Sequence, residues 1–537
     1  MLRKLSHRFP DAALDRTAAT HRGLARLVES AKEVTTQLQG ITRELLSSPG
    51  GNGCTFSADL NLNEQLLHSV FSGCGDVKKR HFRAAGRRGI LYFIEGMSDL
   101  ERIETNILRL LEAKQAIESH QQLLEILPAP LLEFTTDASS AARDVMQGSS
   151  LIVMDGFEAA AVLGTIRVAK RDITEARRES ALRGPLDAFN ETLDDNVAVI
   201  RRRTSDVNAK LRYFTVGERA KNQVALIYIE HLIKAAIVDE VSARLRNIST
   251  DRLLSAGSLE EQLSEYPWSP FPYLQVTERP DKVVSALYDG RFALIIDNTP
   301  WVLIGPSNFQ QLLQTTDDYT VTPVVASLIR LTRYIAAVLA VLLPGFYVAV
   351  VSFQPGVLPT SLALTIAELR ARAPFPAFLE AFVMEALLEL FQEAVTRLPE
   401  KVVVAASVVG GFVIGSTVVE AGIINPLLVV VMAITAICSY IVPSYALSLS
   451  LRWLRIPILL LASTFGLFGV GIGSLFVITH MAALENFGES FLGGLFDTTM
   501  LQDWKDNFVR LPANFLRIRP KVFGAQDRSR SGGNTDG

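Results

Sequence analysis

Three glutamates, Glu385, Glu389 and Glu393, recur at four-residue steps within "PFPAFLEAFVMEALLELFQEAVTRLPE" (Pro374–Glu400), a run otherwise rich in Phe, Leu and Met. On a helix each such step drifts by about 40°, so the carboxylates form one shallow stripe. Gln392 falls beside it, and Met384, Leu387, Phe391, Val395 and Leu398 fall opposite, with Glu380 as an outlier among them. An ionised carboxylate cannot stay unpaired in hydrocarbon, so the stripe must pair or face water. Two readings stand side by side. Repeated around a ring of subunits, the stripe would give stacked acidic rings that favour cations over anions. On a surface helix, it would instead pair Glu393 with Arg397 at i,i+4. A second series, Ser407, Gly411 and Gly415, has the same spacing and ends at Glu420, and Gly466, Gly469 and Gly473 follow later. Small residues at such intervals let helix backbones approach closely. For the first of these series, a narrow pore lining is the functional alternative.

Other chemistry is poorly supplied. The seven histidines are scattered singly, and the three cysteines, Cys54, Cys74 and Cys438, lack CxxC spacing. That pattern supports neither a metal site nor a disulfide framework and fits a reducing cytosol. There is no glycine-rich phosphate loop and no nucleophile elbow, so neither an enzyme nor a cofactor is expected. A net charge of −3 gives no polyanion footprint, which argues against nucleic acid as a partner. The opening "MLRKLSHRFPDAALDR" has no apolar core of a cleavable signal, so the first membrane span is expected to deliver targeting.

The elements that must position the stripe divide the 537 residues unevenly. Residues 1–323 have globular composition, whereas Tyr334–His480 is mostly Val, Ile, Leu, Ala, Gly and Phe. Near the start, Leu24, Leu27, Ala31, Val34, Leu38, Ile41 and Leu45 alternate by three and four, the seam of a short coiled coil. Self-association and docking on the chain's own domain fit this helix equally. "SSPGGNG" then breaks it.

An internal repeat follows. "RRGILYFIEGMSDLERIETNILRLLE" matches "NQVALIYIEHLIKAAIVDEVSARLRNI", placing Glu95 on Glu230. "TTDASSAARDVMQGSSLIVMDGFEAAAVLG" matches "VTERPDKVVSALYDGRFALIIDNTPWVLIG", placing Gly148 on Gly290 and Asp155 on Asp297. The second pair reads as a helix and then a hairpin, turning at Asp155-Gly156 and Asp297-Asn298. Two related α/β subdomains are therefore expected.

In the apolar half the expected spans are Tyr334–Phe353, Val402–Glu420, Pro426–Leu447 and Pro457–His480, each long enough at about 1.5 Å per residue. Arg330 and Arg333 before the first span favour a cytoplasmic N-terminal domain. Residues 377–398 either span or lie at the interface, so four and five crossings both stand. The fold class is thus α+β plus membrane: a soluble region of two α/β subdomains, then a polytopic helical domain. The expected division is 1–56 (extension with coiled coil and linker), 57–164 and 165–323 (the subdomains), 324–482 (transmembrane helices) and 483–537 (basic segment and disordered tail).

"RGPLDAFNETLDDNVAVIRRR", "YLQVTERPDKVVSALYDGRFALIIDNTPWVLIGP", "PGFYVAVVSFQPGVLPTSLALTIAELRARAPFP" and "VVGGFVIGSTVVEAGIINPLLVVVMAITAICSYIVPSYALSLSLRWLR" resemble the A subunits of spore-germination nutrient receptors, the GerA type, in collinear order over roughly 60–521. The resemblance implies a multi-pass protein of the bacterial spore inner membrane. It implies work beside a transporter-like B subunit and a lipoprotein C subunit, in a homo-oligomeric, nutrient-gated channel for monovalent cations. It also raises Glu385, Glu389 and Glu393 to leading pore candidates, ahead of Ser407, Gly411, Gly415 and Glu420. The 24–45 helix is an addition to the family's usual start. A paralogue associated with the dipicolinate channel and a non-conducting scaffold bound to membrane lipid are the competing readings. A secondary transporter would call for paired repeats with broken helices, and the membrane half shows none.

Overall fold

The computed structural model describes residues 55–493 and 504–530, apart from 85, 113–121, 124–131, 168–178, 180–182, 372, 400–401, 404–407, 409, 412–416, 516–517, 521–522 and 528. The expected coiled coil, with Leu24, Leu27, Val34, Leu38, Ile41 and Leu45, lies outside the described residues, as do Ser407 and Gly415. The chain forms two compact units, one from 1–168 with 205–207, the other from 169–204 with 208–537.

In the first unit α1 (Leu60–Val70) precedes a hairpin of β1 (Val77–Ala84) and β2 (Arg87–Ile94). The hairpin turns at Gly86, whose φ of +79° favours glycine. Next come α2, built as Leu100–Ile103, a π turn Glu104–Leu108 and Arg109–Glu112, and then β3 (Leu132–Thr135), α3 (Ala138–Met146), β4 (Ser150–Met154) and β5 (Ala160–Leu163). The strands pair antiparallel in the order β1-β2-β4-β5-β3.

The second unit opens with the same plan: α4 (Leu193–Thr204), β6 (Ala209–Val216), β7 (Asn222–Ile229), α5 (Ala235–Asn247), α6 (Ala256–Leu263), β8 (Gln275–Thr277), α7 (Pro280–Tyr288), β9 (Phe292–Ile296) and β10 (Val302–Gly305). Its order is β6-β7-β9-β10-β8, again antiparallel. The correspondence reaches single hydrogen bonds. Asn63 Oδ1 accepts from Ser57 N at 2.9 Å as Asn196 Oδ1 accepts from Asn190 N at 2.8 Å. Asp155 Oδ1 accepts from Leu60 N as Asp297 Oδ1 accepts from Leu193 N, both at 3.4 Å. Gly148 and Gly290 both have positive φ. β4 and β9 are buried along their whole length, which is why they read as continuous apolar runs. In the second sheet Leu226, Tyr228, Leu294 and Ile296 pack on one face and Ala225, Ile227, Ala293 and Ile295 on the other, the period-two alternation of a covered strand.

The helical region belongs to this same second unit. After α8 (Phe309–Leu313), the long α9 (Pro323–Phe353) packs against α12 (Pro426–Ile441), α13 (Tyr445–Phe465) and α14 (Leu467–Ala483). Between them come α10 (Thr360–Ala371) and α11 (Ala377–Arg397). A small hairpin, β11 (Glu485–Asn486) with β12 (Glu489–Ser490), follows α14 and returns to the second sheet. There Phe487 lies edge-on to Phe292, with ring centroids 5.2 Å apart, under the Arg244 guanidinium at 4.7 Å.

Two expectations need correction. The span expected over Pro457–His480 is two helices, α13 and α14, reversing at Gly466 with φ +62° and ψ −140°. Gly466 is therefore a turn residue rather than a helix-packing one, whereas Gly469 meets the Leu461 backbone of α13 and a Cβ on Gly473 would lie 3.1 Å from Ile458 Cγ1. The span expected over Pro426–Leu447 ends at Ile441, and Ser444 caps α13 by accepting from Leu447 N. Hydropathy continues through both turns because Gly466 and Val442-Pro443-Ser444 interrupt the backbone without adding charge. Among the described residues, two helices, α9 and α13, are long and apolar enough to cross a membrane, and α12 and α14 are shorter apolar helices.

Candidate functional site

Helix α11 starts after Pro376 and runs its full length to Arg397 without a break. The carboxylates along it meet graded surroundings. Glu380 is 1% exposed, and its Oε2 accepts from the Asn425 N–H at the start of α12 at 3.2 Å. Glu385 Oε1 accepts from Arg455 Nη1 of α13 at 2.8 Å, with both side chains buried. Arg455 Nη2 also donates to Ser439 Oγ of α12 at 2.6 Å, so three helices meet at one guanidinium. One turn on, Arg452 contacts Gln392 Oε1 and lies 3.7 Å from Glu389 Oε2. At the open end Glu393 accepts from Arg397 Nε at 3.0 Å, both exposed.

The stripe therefore pairs with arginines of α13 at two of its three members, Glu385 and Glu389, while Glu393 makes the expected i,i+4 pair within α11. Satisfaction is incomplete. Among the described residues Glu380 Oε1, Glu385 Oε2, Arg452 Nε and Arg455 Nε have no hydrogen-bond partner. Arg452 and Arg455 lie between the spans expected over Pro426–Leu447 and Pro457–His480. The signal that identifies them is their i,i+3 spacing within an apolar run, complementary to Glu385 and Glu389 at i,i+4.

The other candidates separate from this cluster. Gly411 is exposed and a Cβ there would meet nothing within 4 Å. It is Gly410 that approaches α11, where a Cβ would lie 2.7 Å from the Phe391 ring. Glu420 is exposed at the end of the turn Val418–Glu420.

A second ionic cluster stands at the foot of α9. Arg330 Nε donates to Asp318 Oδ2 at 3.0 Å and Arg333 Nη1 to Asp318 Oδ1 at 2.8 Å. Asp506, from the short helix Trp504–Asn507, accepts from Arg330 Nη1 at 3.1 Å and from the Tyr319 hydroxyl at 3.1 Å. Among the described residues no group of His, Cys, Asp and Glu could hold a metal ion.

The sequence pattern of the family described as Bacillus/Clostridium GerA spore germination protein matches residues 65–522. The uncharacterized membrane protein YfkQ of Bacillus subtilis (strain 168) is 35% identical over 471 residues, 87% of this chain and 92% of its own. Spore germination protein B1 of the same organism is 34% identical over 480 residues, 89% of this chain and 97% of its own. The crystal structure of the N-terminal domain of the A subunit of the Bacillus megaterium spore germinant receptor GerK3 is 26% identical, with a TM-score of 0.39, and covers 48% of this chain and 99% of that one.

Proposed function

Since the chain belongs to the GerA family of spore germination proteins, we propose that it is the A subunit of a nutrient germinant receptor and forms its path for monovalent cations. In this reading it is a multi-pass homo-oligomer of the spore inner membrane, with a cytoplasmic N-terminal domain. It works there with a transporter-like B subunit and a lipoprotein C subunit. The observation that carries the reading is the graded ladder on α11, whose carboxylates go from 7% exposed at Glu385 through 31% at Glu389 to 53% at Glu393. Carboxylates arranged from a sealed end to an open one attract cations, and arginines opposite them neutralise the sealed end. Outward apolar side chains on α14, such as Phe468, Leu475 and Phe476, suit hydrocarbon better than water.

A second reading, a non-conducting scaffold, draws on the same residues. Glu385 and Arg455 neutralise each other within one chain, as they would in a structural pair. Cation current in planar bilayers separates the two, using the chain with its B and C partners and nutrient. Glu389→Gln and Glu393→Gln are the informative variants: the partner of Glu393, Arg397, is exposed, and buried Arg452 keeps its contact with Gln392 Oε1 when the Glu389 carboxylate 3.7 Å away becomes an amide. Reduced conductance or cation preference is expected in both. Unchanged currents would remove the stripe from the pore, and a silent unaltered receptor would favour the scaffold.

A further inference from the structure

A cavity of about 130 Å³ lies between α7, Arg291 just before β9, the end of α8 with the turn Thr316–Tyr319, and the chain from the short helix Trp504–Asn507 to Pro520. Gln275, Lys282, Ser285, Arg291, Thr316 and Asp506 are among its lining residues. Most of the charges around it are matched. Asp289 pairs with Arg530 at 2.6 Å, Lys282 with Glu179 at 2.9 Å, and Asp506 with Arg330 at 3.1 Å. Arg291 differs. It is 2% exposed, with Nε donating to Pro306 O at 2.8 Å, Nη1 to Gln275 Oε1 at 3.0 Å, and its guanidinium 5.2 Å from the Phe523 ring centroid. Its Nη2 has no partner among the described residues.

The nearby negative charge, Asp289, is bonded to Arg530 and not to Arg291, and a guanidinium taken out of water with its N–H groups incompletely matched is costly unless something completes it. Burial lowers the Arg291 pKa to about 10, which leaves the group charged at neutral pH. Guanidinium N–H groups match the oxygens of carboxylates and phosphates, and such charge-assisted bonds are stronger than neutral ones. The cavity is close in size to engineered cavities of about 150 Å³ that accept benzene, which limits an occupant to about six non-hydrogen atoms.

We propose that this cavity is a binding site for a small oxyanion, a short carboxylate or inorganic phosphate, held by Arg291 between the second sheet and the foot of α9. Tyr319 and Asp506, which also line it, both meet Arg330 of α9: Asp506 accepts from its Nη1, and the Tyr319 ring centroid lies 5.3 Å from its guanidinium. An occupant would therefore brace the joint through which the α/β region meets the first long helix. The proposal is independent of the channel reading, since binding needs no B or C subunit.

The test is calorimetric titration of the full chain in lipid nanodiscs with acetate, propionate and inorganic phosphate, each against chloride at equal ionic strength. Saturable binding of at least one probe is expected. It should weaken about tenfold or more in Arg291→Gln, the loss of a charge-assisted hydrogen bond. Ser285→Leu narrows the cavity without touching Arg291 and should weaken it comparably. Saturation by acetate or propionate assigns a carboxylate, and saturation by phosphate alone assigns a phosphate. No saturation with any probe, or equal binding by the parent and Ser285→Leu, would overturn the proposal. The second criterion decides even if Arg291→Gln does not fold.

Discussion

Glu385 and Arg455 form a buried ion pair whose partners arrive from helices 70 residues apart in sequence. Removing one member of such a pair leaves an uncompensated charge, whereas replacing both with apolar groups is often neutral or stabilising. Glu385→Ala is therefore expected to destabilise the chain by about 3–5 kcal/mol. The double variant Glu385→Leu/Arg455→Leu is expected to recover most of that loss. Thermal unfolding in detergent micelles measures both, and a double variant as damaged as the single one would show that the pairing is not what matters. The stripe itself was legible, because its spacing is local. Its facing partner was not, because Arg452 and Arg455 look like interfacial residues until α13 is seen packed beside α11.

At the scale of elements, Gly466 has the most exacting position. With φ +62° and ψ −140° it sits where side chains are strained, and a Cβ there would lie 3.0 Å from Phe353 Cβ of α9. Gly466→Ala is expected to cost about 1–3 kcal/mol. Gly471, inside α14 with nothing within 4 Å of its Cβ position, is the control: Gly471→Ala should gain about 0.5–1 kcal/mol from helix propensity. Melting temperatures of the two variants measure the contrast, and equal shifts would refute the turn's role. The duplicated sheets were legible down to Asp155 and Asp297, since turn residues declare themselves locally. The α13–α14 reversal was hidden because hydropathy records burial and not direction.

For the whole molecule, the telling feature is the return of the chain after α14. Phe487 is 2% exposed within the core of the second sheet, beside Tyr273 and Phe292. Lys234 and Glu489 pair nearby. The sheet and the helices are thus joined at both ends of the helical region, by α8–α9 at its start and by this hairpin at its finish. Truncating a buried aromatic costs about 3–5 kcal/mol, so Phe487→Ala should lower the melting temperature. It should also expose the 484–493 segment to limited proteolysis. An unchanged cleavage pattern would mean that the hairpin does not hold the two regions together.

Sequence alone determined the local quantities: the uneven apolar content, the repeat with its turns, the carboxylate stripe and the family resemblance. Each rests on spacing within a few turns of chain or on collinear similarity, which survive without coordinates. Tertiary structure alone decided that the stripe meets Arg452 and Arg455, that Arg291 keeps an unsatisfied N–H at a cavity, and that Phe487 closes the sheet's core. Those are long-range contacts. They depend on how helices pack and reverse, and no periodicity in one segment encodes the position of another.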